Sequence, residues 1–511
     1  MKLNRRSFLM VTAAIPLTAA LGAPLAVKAG ETGTIRWLSP ENTTGNWDPS
    51  MNTTLANTRI EFIVFDTLLR YPMTGDDLLK PELRLVESYE MTDGHTVDFV
   101  LKKGIKFHDG SELTAADVKA TLEYYSREGA ARAFYPGPVK VEVKDDHSFT
   151  VTTETFPAHS FLFLQVYSPI LRAADVATPE KLAGSMIGTG PFRYVGTTTD
   201  GHNFEAFADY WGGATGNIQK IQNRYVPDGN ARMLALMSGE AEVIERLEPE
   251  QYDSLKKNKD VATQKVNSVE NRYLHFRCNK PPFNDYRVRR AAAAAIDREG
   301  LLSLIGEAGY GADSVLPPMK LGSTPQPDYG KYDPELCQKL LAEAGYPGGK
   351  GLPPLEYITS TGFYPKSKEI CEAITAMLQA EGFPVTLTVM EVAAWNDAYY
   401  NVNAGNMIDG GWAPNSPEPN IQLMLQYYSK VGLVTGVNEP ELDKVLLKQV
   451  AETDMNTRAK IISDEVLPMV AEKLPNQVLF NSAMMIATAA KLTDVTMTAA
   501  GDMDFTGATM A

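Results

Sequence analysis

Apolar and polar residues alternate through Val97, Phe99 and Leu101, and the turn dipeptides Asp93-Gly94 and Asp109-Gly110 bracket the run. That period of two predicts the strands of a hairpin. Val385, Leu387 and Val389 alternate likewise. Elsewhere the period lengthens to that of a helix. Leu336, Leu340 and Leu341 share one face behind a capping Asp333 and a first-turn Pro334, and Gly345 ends the segment. Thr114 caps a helix burying Val118, Leu122 and Tyr125. Asp285 caps another, whose Val288, Ala292 and Ala295 face a core while Arg287 and Arg290 face out. Residues 31–66, rich in Asn and Thr, and 309–332, rich in Pro and Gly, sustain no period and read as loops. Amphipathic helices around 442–450 and 461–470 lead to strand-like runs at 477–486 and 495–497, and a late strand often closes an earlier sheet. This mixture points to an α/β fold rather than a bundle or a sandwich.

The beginning of the chain has a different character. Lys2, Arg5 and Arg6 precede a modestly apolar stretch, 11–25, which contains prolines and falls short of the ~20 residues of a membrane span. Asn4-Arg5-Arg6-Ser7-Phe8-Leu9 looks like a twin-arginine export signal, and Val27-Lys28-Ala29 suits a cleavage site. Residues 1–29 are therefore expected to be a signal peptide and Gly30 the mature start. No cysteine near that cut offers a lipid attachment point, and no later stretch is apolar enough to cross a bilayer, so a soluble exported protein without membrane insertion is expected. The remainder exceeds one core at ~100–200 residues per domain and predicts two or three domains. A net charge of −15, more negative once Lys2, Arg5, Arg6 and Lys28 are gone, makes nucleic acid and anionic membranes poor partners. Cys278, Cys337 and Cys371 are odd in number, so at least one thiol stays free. A Cys337–Cys371 bridge requires a placement the sequence does not fix, and buried free thiols are the simpler reading.

Chemistry-bearing motifs are sparse. His95, His108, His147, His159, His202 and His275 never fall at metal-ligand spacing, so no metal or other cofactor is expected. No nucleophile elbow, phosphate loop or dinucleotide fingerprint is present. Ser254-Leu255-Lys256-Lys257 satisfies S-x-x-K without its partner motifs, and a glycosidase needs two carboxylates at a separation that spacing alone does not establish. Hydrolase, NTPase and dinucleotide readings are thus left without a carrier, while a glycosidase stays open.

Several segments together carry a resemblance. They are Val86-Glu87-Ser88-Tyr89-Glu90, Leu101-Lys102-Lys103-Gly104-Ile105-Lys106-Phe107-His108-Asp109-Gly110, Leu113-Thr114-Ala115-Ala116-Asp117-Val118, Ile187-Gly188-Thr189-Gly190-Pro191-Phe192, Ala208-Asp209-Tyr210-Trp211-Gly212-Gly213, Leu236-Met237-Ser238-Gly239-Glu240-Ala241-Glu242-Val243-Ile244 and Lys280-Pro281-Pro282-Phe283-Asn284-Asp285-Tyr286-Arg287-Val288-Arg289-Arg290 with Ala295-Ile296-Asp297-Arg298. In this order the chain resembles the oligopeptide, dipeptide and nickel family of ABC-importer solute-binding proteins along nearly its whole mature length. The resemblance implies a bilobal periplasmic-binding-protein clamshell with mixed sheets. Residues 30–57, 185–266 and 483–511 would form the first lobe, 58–184 a subdomain inserted in it, and 267–482 the second lobe. It further implies a periplasmic binding protein, not an enzyme, that traps a small-molecule ligand in the interlobe cleft and delivers it to the transmembrane permease subunits of an ABC importer, and a monomer suits such a clamshell.

Peptide-holding members carry a Gly-Trp-x-x-Asp segment whose Asp pairs with the peptide's ammonium, and here the segment is Gly411-Trp412-Ala413-Pro414-Asn415. Asn415 offers a hydrogen bond but no charge. No arginine lies between Arg298 and Arg458 to clamp a peptide carboxylate, leaving Lys366, or Arg272 on the crossing strand beside Tyr273, as substitutes of different geometry. Trp395, Asn396, Tyr399, Tyr400, Trp412 and Asn415 instead suit a neutral hydroxylated ligand, although Tyr399 and Tyr400 read equally as core residues of a helix. Asn42, Thr43 and Thr44 add polar contacts from the first lobe. The expected ligand is a sugar, a sugar conjugate or an opine-like compound, with peptide as the alternative. The candidate ligand-binding set is Trp412, Asn415, Trp395, Arg272, Tyr273 and Asn42.

Overall fold

A computed structural model describes residues 33–43, 45–51, 55–71, 79–128, 132, 135–184, 186–199, 201–326, 328–361, 363–413 and 416–511. The expected signal peptide and cleavage site, Thr44 and Asn415 lie outside the described residues. One mixed sheet runs through both lobes of the clamshell, in the order Val385–Met390, Leu355–Ser360, Met407–Trp412, Val261–Phe276, Asn476–Ala489, Val243–Glu245, Thr34–Ser39, Lys220–Tyr225, Gly201–Ala206 and Phe192–Thr198. The two longest strands, Val261–Phe276 and Asn476–Ala489, pair antiparallel at its centre and belong to both lobes. Asn476–Ala489 also pairs with Val243–Glu245, so the late strand does close a sheet begun near the start of the chain.

The early stretch expected to be loop instead contains the strand Thr34–Ser39 and the helix Leu55–Val64. The physical reason is burial on more than one face. Ile35, Trp37 and Leu38 sit inside together with Arg36 and Ser39, as in a parallel strand covered on both sides, so no alternation marks it. In the helix Asn57, Arg59 and Glu61 are buried beside Ile60, Ile63 and Val64. Arg59 reaches Glu245 at 2.8 Å, and an inward-facing polar row erases the helical period.

The inserted subdomain is the antiparallel sheet Val86–Met91, Thr96–Leu101, Ser148–Thr153 and Val139–Asp145 with the helix Ala115–Tyr125 against it. Val97, Phe99 and Leu101 point inward as their alternation predicts, and Phe99 stacks on Phe149 with ring centroids 5.1 Å apart. The Thr114 amide donates to Asp117 Oδ2 at 2.9 Å, closing the cap. In the second lobe, the helix Pro334–Glu343 buries Cys337, Leu340 and Leu341, and Asp333 accepts from the Leu336 amide at 2.9 Å. Val385–Met390 forms the sheet's edge, where only Val385 of its alternating residues is buried.

All three cysteines are buried free thiols, and burial pushes Cys278 up to about 11 and Cys337 up to about 12. Among the described residues no helix is long and apolar enough to cross a membrane, and no cluster of side chains suits a metal ion.

Candidate functional site: the interlobe cleft

Ligand crevices of open α/β sheets lie outside the carboxyl ends of parallel strands. Thr34–Ser39 and Val243–Glu245 are parallel neighbours. Glu41 lies just past the end of the first, and Arg246 directly follows the second. Arg246 adopts a left-handed φ of 51°, costly for a side chain of this size. Arg232 holds it there: its Nη2 donates to the Arg246 carbonyl at 3.2 Å, while its Nη1 donates to the carbonyls of Val226 and Pro227 at 2.8 and 2.9 Å. The Arg246 side chain is 10 % exposed, with Nη2 3.2 Å from Glu41 Oε1. Its Nε and Nη2 nevertheless donate no aligned hydrogen bond to a described residue, and Glu41 Oε1 accepts none. Burial opposes the Arg246 charge, but Glu41, Glu270 and Glu245 outweigh it and its pKa is raised.

The crossing strand supplies the facing groups. Between Asn267 and Asn271 its register slips, so that Ser268, Val269 and Glu270 stand opposite Ser482 alone. Such a bulge re-aims a side chain. Glu270 accepts from Ser482 Oγ at 2.7 Å and lines a small cavity with Arg246, Arg272 and Ser482. A larger cavity of about 420 Å³ opens between the lobes, with Pro40, Arg246 and Glu248 on one side and Phe363 and Pro365 on the other.

Trp412 ends the strand Met407–Trp412, opposite Asn271, and is half-buried against apolar clusters of both lobes. Gly410 and Gly411 before it leave room for rings: a Cβ on Gly410 would lie 2.2 Å from the Tyr399 ring, and one on Gly411 would lie 2.8 Å from the Tyr364 hydroxyl. Gly410→Ala is accordingly expected to destabilise the fold by about 1–3 kcal/mol, an overpacking cost measured by denaturant unfolding. Asn42 is exposed in the first-lobe loop, its Oδ1 accepting from the Thr43 amide at 3.0 Å, and Thr43 Oγ1 lies 2.9 Å from His202 Nε2.

The other expected ligand contacts are engaged within the second lobe. Arg272 donates through Nη2 to both Asp409 oxygens at 2.7 and 2.9 Å and through Nε to the Gly410 carbonyl at 3.3 Å. Its guanidinium lies 3.6 Å from the centre of the Tyr364 ring. Tyr273 is enclosed in the core, its hydroxyl accepting from Gln422 at 2.6 Å. Trp395 packs among Phe363, Tyr364 and Tyr399 and donates to the Asp409 carbonyl at 3.1 Å. Tyr399 is buried in the same cluster and Tyr400 is half-exposed. Lys366 meets Glu250 at 2.7 Å, a pair open to solvent on its Glu250 side and so of modest energetic weight. Glu41, Arg246 and Glu270 were not identified in the sequence. The readable signal was their position, two of them just beyond strand ends.

The model of bacterial extracellular solute-binding proteins, family 5, matches residues 80–432. The chain belongs to this family. Proteins similar to it include the dipeptide-binding protein of Escherichia coli K12, 26 % identical over 368 residues covering 66 % of this chain and 68 % of that one. The heme-binding protein A of Haemophilus influenzae is 28 % identical over 443 residues, 78 % of each. Among solved structures, a dipeptide-binding protein from Pseudoalteromonas in complex with Met-Leu superposes with a TM-score of 0.80 at 22 % identity, covering 94 % of this chain and 100 % of that chain. MoaA of A. tumefaciens R10 in complex with mannopinic acid does so with a TM-score of 0.79 at 23 % identity, covering 94 % and 100 %. These likenesses support the clamshell architecture.

A buried polar cluster joins Arg458, Glu418 and Ser416 to residues 159–163 of this family 5 protein. Arg458 of the second lobe pairs with Glu418 at 2.5 Å, both side chains 1 % exposed, and its Nη1 also reaches Ser160 Oγ at 2.7 Å and His159 Nε2 at 3.1 Å in the subdomain. Ser416 donates to the Phe163 carbonyl at 2.6 Å. Lys320 donates to the Ser416 and Glu418 carbonyls, and burial brings it down to about 7. Burial, then Arg458, hold His159 down at about 4, with Glu418 opposing. His159 thus takes up its proton more readily unfolded than folded. Stability is expected to fall as pH drops from about 6.5 to about 4, by up to ~1.4 kcal/mol per pH unit per such histidine. His108, lowered to about 4 chiefly by burial, adds to the same window. Denaturant unfolding across that range checks the slope, and His159→Gln is expected to flatten it.

Proposed function

We propose that this family 5 protein is the periplasmic capture component of an ABC importer whose cleft takes a sugar, a sugar conjugate or an opine-like compound and presents it to the membrane permease. The observation that carries the ligand class is the commitment of Arg272 to Asp409. The crossing-strand cation placed to clamp a peptide carboxylate is already neutralised, and Gly411-Trp412-Ala413-Pro414-Asn415 supplies no carboxylate for a peptide ammonium. Trp412 between the two lobe cores offers a stacking face, and Asn42 and Thr43 offer hydroxyl-compatible partners. The fold likeness to a mannopinic-acid-binding protein accords with this reading. Peptide is the second reading, favoured by the relation to a dipeptide-binding protein. Native mass spectrometry of the protein purified without denaturation tests the choice. One bound polyhydroxylated or amino-sugar compound per chain is expected, and a bound peptide mass overturns the sugar or opine class.

A further inference from the structure

We infer that the contact of His159 and Ser160 with Arg458 is an acid-sensitive fastener between the two halves of the clamshell, which parts when His159 gains a proton and so weakens the hold on a captured ligand. Only the clamshell architecture underlies this inference, whatever the ligand class. The helix Ala158–Leu164 carries His159 and Ser160 and sends Phe161, Leu162 and Leu164 into the apolar cluster that contains Ile35 and Trp37. Arg458 lies on the helix Met455–Ile461, whose Ile461 belongs to the other large cluster, with Leu423, Leu442 and Leu446. Between these two cores stand polar groups and a small separate cluster of Tyr71, Phe163 and Leu321. Contacts of that make-up between parts of one chain separate more readily than a continuous core does.

The hydrogen bonds fix the protonation state that the contact needs. A guanidinium only donates, so Arg458 Nη1, 3.1 Å from His159 Nε2, requires that ring nitrogen to accept and to carry no proton. The ring also bonds the backbone of Thr453. Proton uptake at Nε2 turns the acceptor into a second donor and sets an imidazolium against the Arg458 guanidinium, with both side chains enclosed. The repulsion falls on the bonds between the halves, His159 and Ser160 to Arg458 and Ser416 to the Phe163 carbonyl. Arg458 meanwhile keeps Glu418 and Gln449 on its own side.

The other charges at this junction hold steady while His159 changes. Glu418, at about 2, stays ionised and is already engaged by Arg458. Asp454 is exposed, and the Thr457 amide holds its carboxylate below the usual range. Lys320, bonded to the Ser416 and Glu418 carbonyls, comes down to about 7 through burial and is already charged once the solution is mildly acidic. His159 takes up its proton at about 4 while joined, burial being the larger cause and Arg458 the next, and at about 6.5 once parted into water. Between those values the balance moves toward the parted form by roughly tenfold per pH unit. A ligand held by both halves loses affinity in the same proportion as the joined form is depleted.

Small-angle X-ray scattering coupled to size exclusion, beside far-UV circular dichroism, tests the fastener on the mature chain without any ligand. The wild-type radius of gyration is expected to rise by about 1 Å or more between about pH 6 and about pH 4.5, with an unchanged dichroism spectrum. His159→Gln, whose carboxamide oxygen accepts from Arg458 without titrating, is expected to stay as compact at the lower pH as at the higher. Should His159→Gln fail to fold, the double variant Arg458→Met with Glu418→Gln, in which no cation faces the ring, is expected to lose the pH response. A wild-type radius that does not change, or one that grows only with loss of helical signal, overturns the fastener. An expansion that survives in His159→Gln or in the double variant overturns it as well, and each of these results leaves ligand capture standing.

Discussion

Trp412→Ala is expected to weaken ligand binding by about 30-fold or more while the protein still folds, as read by calorimetric titration beside far-UV circular dichroism. Truncating a central aromatic anchor costs roughly 2–4 kcal/mol of binding. Trp412 is proposed for that role because it packs on two apolar clusters at once and is only half-buried. The cost to folding is smaller than for a core residue. Trp412 ends its strand, and Arg272, Asp409 and Trp395 behind it keep their own contacts. Trp412→Phe, which preserves an apolar ring, is expected to retain most of the affinity. Unchanged binding in Trp412→Ala removes this residue from the site.

Arg458→Met is expected to cost about 3–5 kcal/mol of stability, because it strands the buried Glu418 carboxylate without its cation. Glu418 is held at about 2 by Arg458 against the opposing effect of burial, and no other cation pairs with it among the described residues. Denaturant unfolding measures the loss. The double variant Arg458→Met with Glu418→Gln is expected to recover much of it, since no buried charge then remains unpaired. Because Arg458 also bonds His159 and Ser160 of the inserted subdomain, the single variant is further expected to weaken ligand affinity by loosening the closed form. A loss below 1 kcal/mol contradicts this account of the contact.

The sequence was most legible where one face of an element is apolar and the other wet. Asp333, Pro334 and the leucines of Pro334–Glu343, and Thr114 with Val118, Leu122 and Tyr125, carry local rules that tertiary packing leaves intact. Thr34–Ser39 and Leu55–Val64 were illegible for the opposite reason, since Arg36 and Arg59 are buried beside apolar neighbours and paired with the distant carboxylates Glu242 and Glu245, and Glu61 is buried with them. The site divides in the same way. Trp412 was readable from its motif. Arg272 was readable as a cation on the crossing strand, but its pairing with Asp409 requires the register of two strands far apart in the chain. Arg246 and Glu41 are brought together by parallel pairing of strands about two hundred residues apart, a relation that no local pattern encodes.

The central claim is that a small polar ligand, bound once per chain between the lobes, stabilises this protein. Its most direct test is a thermal-shift and calorimetric titration against neutral sugars, sugar–amino-acid conjugates and di- to tetrapeptides. The account predicts saturable one-to-one binding to a sugar or conjugate, with a stabilisation that grows with ligand to about 2.7 kcal/mol at one hundred times Kd. Tighter binding to peptides than to every sugar and conjugate contradicts the ligand class, and no stabilisation by any of the three contradicts the capture function.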